Sequence, residues 1–272
     1  PSSTVTRSDL LIAVEAEDRR DGGRRDRQAP LVRLASAIEP EWLIDLFADR
    51  VAEVSKVEWN RAAERVEGVS ALMFGEIAIE ETRREPDPVV AGELLATKAK
   101  EAGIDRFVDR EELDAFFERV HFASLHAEIP PLGLGDAEEA LRQIAHGRRS
   151  FADLEDAARK QLVPDLRRAL PREFDSIAPE SLRLPGGRQV RVHYEPNQPP
   201  WIASRLQDFF GMRETPRIAR GQVPVVVRLL APNQRPVQMT SDLAGFWERL
   251  YPQVRKELSR RYPKHKWPEK PE

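Results

Sequence analysis

Prolines and glycines cut this chain into short pieces, and that punctuation limits its fold more than any other feature. There are 22 prolines and 14 glycines in 272 residues. Proline removes a backbone donor and fixes φ, so Glu85-Pro86-Asp87-Pro88, Ile129-Pro130-Pro131 and Pro232-Asn233-Gln234-Arg235 each interrupt regular structure. Pro185-Gly186-Gly187-Arg188 is a hairpin signal between two strand-like runs. No apolar run approaches the ~18–20 residues that span a bilayer, which excludes an integral helical membrane protein, and no membrane partner is expected. With 40% apolar and 33% charged residues, the chain is able to bury real cores and is unlike a disordered one. Its length predicts two domains, or three small ones.

Cysteine is absent, so disulfides, thiolate zinc sites, iron–sulfur clusters and thiol catalysis are excluded. A reducing compartment, the cytoplasm, is the expected location. Residues 1–15 lack the basic-then-apolar layout of a signal peptide. The chain starts at Pro1 instead of Met, and a piece of something longer is the expectation.

The net charge of −3 conceals two opposed regions. Residues 1–171 carry 25 Lys+Arg against 35 Asp+Glu, and residues 172–272 carry 18 against 11. A basic end behind an acidic beginning points to an anionic partner, or to two parts that complement each other where they pack.

The expected class is α+β, in three stretches. Residues 1–85 are expected to form an OB-like small β-barrel, with a small mixed sheet as the alternative. Its strands are read at Asp9–Glu17, Pro30–Ile38, Val51–Asn60, Arg65–Gly75 and Glu76–Arg84. A short helix is read at Glu39–Ala48, with Trp42, Leu43, Leu46 and Phe47 on one face. The charged loop 18–28 is read as a solvated hairpin tip, with phosphate contact as the other reading. Residues 86–171 form a helical connector, with apolar stripes such as Leu94, Leu95 and Ala99. Pro164 is expected to limit one of its short helices, and Gly147 to end another. Residues 172–272 form an α+β domain. Arg188, Arg191 and His193 are read on one strand face opposite Val190 and Val192. Ile202–Gly211 is read as a short helix, Val223–Leu230 and Pro236–Met239 as strands, and Asp242–Tyr251 and Gln253–Tyr262 as helices.

Much chemistry is excluded. No Gly-Lys pair exists, so there is no P-loop to cradle a phosphate. Dinucleotide, zinc-protease and nucleophile-elbow motifs are missing as well. His121 and His126, five apart, do not share a helix face, and no metal site is expected. Adjacent carboxylates such as Glu80-Glu81 and Glu138-Glu139 read as solvated faces, since acid–base pairs need burial or a like-charge partner. No catalytic residue is proposed, and no cofactor is expected in this chain.

The basic, aromatic-bearing end remains. Arg255, Lys256, Arg260, Arg261, Lys264, Lys266 and Trp267 are the candidate nucleic-acid-binding residues. Cations neutralise phosphates and release counterions, and aromatic faces stack on unpaired bases. The competing reading packs Tyr251, Tyr262 and Trp267 onto Phe246 and Trp247 and pairs the arginines with the acidic first half.

The same end carries a resemblance. Thr215-Pro216-Arg217-Ile218-Ala219 is followed by Val223-Pro224, Val227, Leu229 and Leu230. Then come Arg235-Pro236-Val237-Gln238-Met239-Thr240-Ser241-Asp242-Leu243-Ala244-Gly245-Phe246-Trp247 and Tyr251-Pro252-Gln253-Val254-Arg255-Lys256-Glu257. Arg261-Tyr262-Pro263-Lys264-His265 and Trp267-Pro268 complete the run. This ordered set resembles the C-terminal signature of the HrpB family, bacterial DEAH-box ATP-dependent RNA helicases. Ala178-Pro179-Glu180, Pro185-Gly186-Gly187 and Arg205-Leu206-Gln207 fit upstream. Residues 9–85 fit the family's OB-like region loosely, and residues 86–171 match it in helical character alone.

The resemblance implies a full protein that remodels RNA with ATP and Mg in a helicase core whose motifs are not in this sequence. RNA or another single-stranded nucleic acid, and that core, are the implied partners. Three functions stay open: an accessory nucleic-acid-binding or regulatory portion of such a helicase, a module that docks on the core or on another protein, and a free-standing enzyme of unknown type.

Overall fold

The computed structural model describes Ser8, residues 10–17 and residues 31–271. The charged loop 18–28 lies outside the described residues. The chain divides into two compact units, one running to Thr97 and including Ala145–Phe151, the other made of Lys98–Ile144 and Ala152 onward. No helix among the described residues is long and apolar enough to cross a membrane.

The first unit is mostly β. Strand β1 (Leu11–Glu17) pairs antiparallel with β2 (Leu31–Ala37), from Leu11↔Ala37 to Glu17↔Leu31. Helix α1 (Pro40–Leu46) starts with proline in its first turn, where no backbone donor is needed. It forms where the apolar spacing places it, but of its expected face only Leu43 is buried, while Trp42 and Leu46 are 52% and 73% exposed. Strands β3 (Val51–Asn60), β4 (Arg65–Phe74) and β5 (Ile77–Arg84) form an antiparallel meander with β4 in the centre. Central placement buries Val66, Val69 and Ala71 on β4. Gly68 on that strand has no room for a side chain, since a Cβ would lie 2.8 Å from the Arg84 carbonyl oxygen.

The expected barrel does not close among the described residues. No ladder joins the β1–β2 ribbon to the β3–β5 sheet. The outer strand β5 reads Ile77-Ala78-Ile79-Glu80-Glu81-Thr82-Arg83-Arg84 and is almost wholly exposed. A charged, exposed edge resists pairing with a further strand.

The helices follow as α2 (Pro88–Ala102), α3 (Arg110–His126), α4 (Leu134–Ala145), α5 (Phe151–Ala169) and α6 (Phe174–Ile177). Asp109 caps α3 by accepting from the backbone N–H groups of Glu111 and Glu112 at 2.9 and 3.1 Å, a common use of aspartate at a helix start. Beyond α4, Gly147 has a φ of 74°, as a helix-ending glycine does. Pro164 does not limit a helix: α5 runs through it. Proline loses one hydrogen bond there, but Leu154, Leu162 and Leu166 are all buried, and packing along one continuous face outweighs that local loss.

The rest of the second unit is α+β. Strands β6 (Ser181–Arg183) and β7 (Gln189–Arg191) make the expected hairpin, with Gly187 at a φ of 85° in its turn. Strand β8 (Trp201–Arg205) replaces the helix expected at 202–211. It pairs in parallel with β11 (Val226–Leu230), Ile202 against Val227 and Ser204 against Leu229, and these four are buried. Tertiary pairing overrides the local pattern, and only a tight turn at Leu206–Phe209 keeps helical character. The two-residue strands β9 (Arg217–Ile218) and β10 (Val223–Pro224) pair with each other, and β12 (Pro236–Thr240) covers the other side of β11. Helix α7 (Leu243–Gly245) leads through a wide turn, Phe246–Leu250, into α8 (Tyr251–Arg261). The core of this unit joins Ile202, Val227, Leu229, Phe209, Phe246 and Tyr251.

Candidate nucleic-acid interface

Helix α8 is anchored from its start. The Asp242 carboxylate accepts from the Gly245 backbone N–H at 2.8 Å and from Arg249 at 2.7 Å. Both partners favour the ionised carboxylate, the backbone N–H most, and hold its pKa below the usual range. Four rings then pack together. Phe246 and Trp247 are 5.0 Å apart between centroids, Trp247 and Tyr251 are 5.2 Å apart, and Phe210 lies 6.1 Å from Tyr251. These are separations at which tilted aromatic pairs attract. Burial pushes the Tyr251 phenol up to about 12.

The non-helical tail folds back onto α8 through side chains that bond to backbone. Tyr251 donates to the Pro268 carbonyl at 2.8 Å, Arg255 Nε to the Trp267 carbonyl at 2.9 Å, and Trp267 Nε1 to the Tyr262 carbonyl at 3.0 Å. Upstream, Trp247 Nε1 donates to the Met212 carbonyl, and the Thr215 hydroxyl links Ser241 to Leu243. Most of these tie points belong to the ordered signature read from the sequence, which therefore encodes packing.

The seven candidate residues separate into two groups. Trp267 is 9% exposed and part of the core, so its ring is not open to a base. Arg255 is turned inward, bonded to the tail and 3.3 Å from the Glu269 carboxylate. Lys256, Arg260, Arg261, Lys264 and Lys266 are exposed. None of these five carries an ion pair among the described residues, and Arg261 lies 5.8 Å from the Tyr262 ring centroid. They present cations around the end of α8 and along the tail, a surface suited to phosphates.

A second basic feature was missed in the sequence. A cavity of about 650 Å³ is bordered by α3, α5 and the strand that continues from β7. Arg119, Arg167 and Arg168 line it beside Arg191, His193 and Tyr194. Arg119 is buried, donates to the Ala178 carbonyl and to Asp175 at 2.6 Å each, and lies 4.5 Å from the Phe174 ring centroid. Arg167 pairs with the same Asp175, and Arg168 with Asp165 at 2.7 Å. Burial lowers the pKa of Arg119 and raises that of Tyr194, whose hydroxyl donates to the Pro179 carbonyl. The alternation of Arg191 and His193 opposite buried Val190 and Val192 was a legible signal for one wall. The helical arginines were not, since nothing local says that α3 and α5 face that strand.

No group of three or more potential metal-ligating side chains gathers among the described residues.

Residues 140–271 match the family model described as ATP-dependent helicase C-terminal, HrpB_C. This part of the chain is similar to the HrpB C-terminal family. The ATP-dependent RNA helicase HrpB of Escherichia coli (strain K12) is 43% identical over 102 residues, 38% of this chain and 13% of that protein. The crystal structure of the E. coli DExH-box NTPase HrpB superposes with a TM-score of 0.60 at 26% identity, over 96% of this chain and 33% of that one. The chain thus spans a third of the solved HrpB chain it resembles.

Proposed function

We propose that this chain is an accessory nucleic-acid-binding portion of an HrpB-type ATP-dependent RNA helicase, working in the cytoplasm. ATP and Mg belong to the core of that helicase. The observation that carries the reading is the cluster of six exposed cations, the five candidates and Lys270, that have no ion pair among the described residues on α8 and its tail, inside the stretch that matches the HrpB C-terminal model. Phosphate contacts need cations that are not already neutralised, and these satisfy that condition. The tail's bonds to α8 hold them in a fixed spacing.

The test is fluorescence anisotropy with a short single-stranded RNA over a salt series. We expect binding that weakens steeply with salt. Changing Lys256, Arg260, Arg261 and Lys264 together to Ala should weaken it about 10- to 100-fold and lower the salt slope by about 3, since each phosphate contact on a single strand contributes about 0.7. Wild-type binding by that variant rejects these residues as the contacts.

A protein-docking role is the second reading, and one observation favours it. In the first unit Leu11, Val14, Leu34, Trp42 and Leu46 are each at least half exposed. Apolar side chains gathered on one small unit suit a protein partner such as a helicase core. Phe246, Trp247, Tyr251 and Trp267 are buried instead, so they are not docking anchors. Co-elution with a separately produced helicase core tests this reading, and its absence rejects it.

A further inference from the structure

Three planar side chains stack beside the cavity. The Arg228 guanidinium lies 3.4 Å from the Trp201 ring centroid. On the indole, His193 stacks at 3.8 Å with an interplanar angle of 8°. The backbone fixes this arrangement, because His193 and Trp201 exchange N–H···O bonds of 2.8 and 3.1 Å. Glu195 accepts from Trp201 Nε1 at 2.9 Å, which stops the indole from turning. Arg228 and His193 therefore occupy the indole, and Trp201 does not line the cavity. His193 does. The stack ends at the cavity in an imidazole.

We propose that this cavity takes one unpaired nucleotide of an RNA strand, with its base stacked on His193 and its phosphate on Arg191. The proposal rests on the nucleic-acid-binding reading and gives it a second, base-contacting site. The cavity's volume of about 650 Å³ lies within the range of small-ligand sites. Arg191 is exposed, is two residues from His193 along the strand, and has no ion pair among the described residues. Arg119, Arg167 and Arg168 differ from it, since they already hold Asp175 and Asp165.

The cavity's carboxylates narrow the ligand further. Glu112, Glu180 and Glu195 also line it, so a bare phosphate dianion meets repulsion there. The same groups accept hydrogen bonds from an exocyclic amine. Adenine, cytosine and guanine carry one and uracil does not. Burial and the nearby Arg191 keep the imidazole largely neutral at pH 7, which suits stacking on a base.

Anisotropy of the full 272-residue chain with oligoadenylate and oligouridylate of about ten nucleotides tests this. The wild type should prefer oligoadenylate by about five-fold or more, the size of about one net hydrogen bond from the exocyclic amine. His193→Leu should remove the preference, and Arg191→Gln, which loses the phosphate contact, should weaken both RNAs. The four-residue tail variant should weaken both RNAs alike and keep their ratio. A wild-type ratio in His193→Leu overturns the cavity proposal and leaves the accessory reading standing. No binding of either RNA by the wild type overturns the accessory reading. Imidazole NMR of the wild type then judges the cavity alone, whatever the folding of the variants. A His193 shift with the dinucleotide ApA, whose phosphodiester is a monoanion as in RNA, and none with inorganic phosphate supports it, and no shift with ApA rejects it.

Discussion

Cationic side chains crowd two places in the second unit, the α8 tail and the cavity beside α3 and α5, and the two places treat them differently. Around the cavity, Arg119 and Arg167 converge on Asp175 and Arg168 takes Asp165. On the tail, Lys256, Arg260, Arg261, Lys264 and Lys266 stand in solvent with no ion pair among the described residues, while Arg255 alone is drawn inward. A paired arginine mainly stabilises the fold, whereas an unpaired one keeps its charge for a partner. The cavity thus keeps one free cation among the described residues, Arg191, beside its aromatic stack, and α8 with its tail keeps six, Lys270 included. Net charge alone does not separate the two situations.

Trp267→Ala breaks this comparison most severely. The indole is 9% exposed, packs in the main core of the second unit and bonds to the Tyr262 carbonyl. Truncating a buried tryptophan typically costs about 3–5 kcal/mol. Urea unfolding should show a loss of that size, with RNA binding weakened because the tail is no longer held. Lys256→Ala, one residue from Arg255, should leave the urea midpoint unchanged. If Trp267→Ala is as stable as wild type and still loses RNA, the indole is a contact and the division of the tail into two groups is wrong.

Arg119→Met probes the opposite region. The methionine keeps the aliphatic volume but removes the donor to the Ala178 carbonyl and one partner of Asp175. Asp175 retains Arg167. The loss is therefore smaller than for an isolated buried pair, at about 2 kcal/mol. Arg168 and Asp165 form an exposed ion pair three residues apart on one helix. Arg168→Ala should change stability by less than about 0.5 kcal/mol. Equal effects from both changes in urea unfolding would mean that the cavity's arginines are not graded by burial.

The tail's composition and the order of its signature residues were readable in the sequence, and so was their resemblance to the HrpB C-terminal region. Which of them turn inward was not. Arg255 and Lys256 are neighbours with the same charge, and only the return of the tail over α8 separates them. The hairpin at Pro185–Arg188 was legible because glycine at positive φ is a local requirement. Strand β8 was not, because its partner β11 lies well downstream and its alternation is short. Pro164 misled for the same reason, since local chemistry forbids what continued burial of α5 permits. The barrel of the first unit was inferred from a count of strands, and counting does not report that β5 presents a charged edge. The cavity needed two helices and a strand from distant parts of the sequence, so only the Arg191 and His193 wall left a trace.

The smallest expected effect concerns Asp242, where α8's approach begins. Its pKa is lowered in the folded chain by the Gly245 N–H first and by Arg249 second. A carboxylate with a lowered folded-state pKa stabilises the fold above its unfolded value, near 3.8, and loses that contribution as pH falls through the folded value. Asp242→Asn keeps an acceptor for the Gly245 N–H but carries no charge for Arg249. Its stability should follow the wild type's at low pH and fall slightly below it near neutrality. A thermal-melt series from about pH 2 to 7 reads this as a flatter acid limb. A variant curve parallel to the wild type's across that range would show that Arg249 gains nothing from Asp242. The exposed pair would then join the weak surface ion pairs, and the tail's anchoring would rest on the packed rings and on the bonds that Tyr251, Arg255 and Trp267 make to backbone carbonyls.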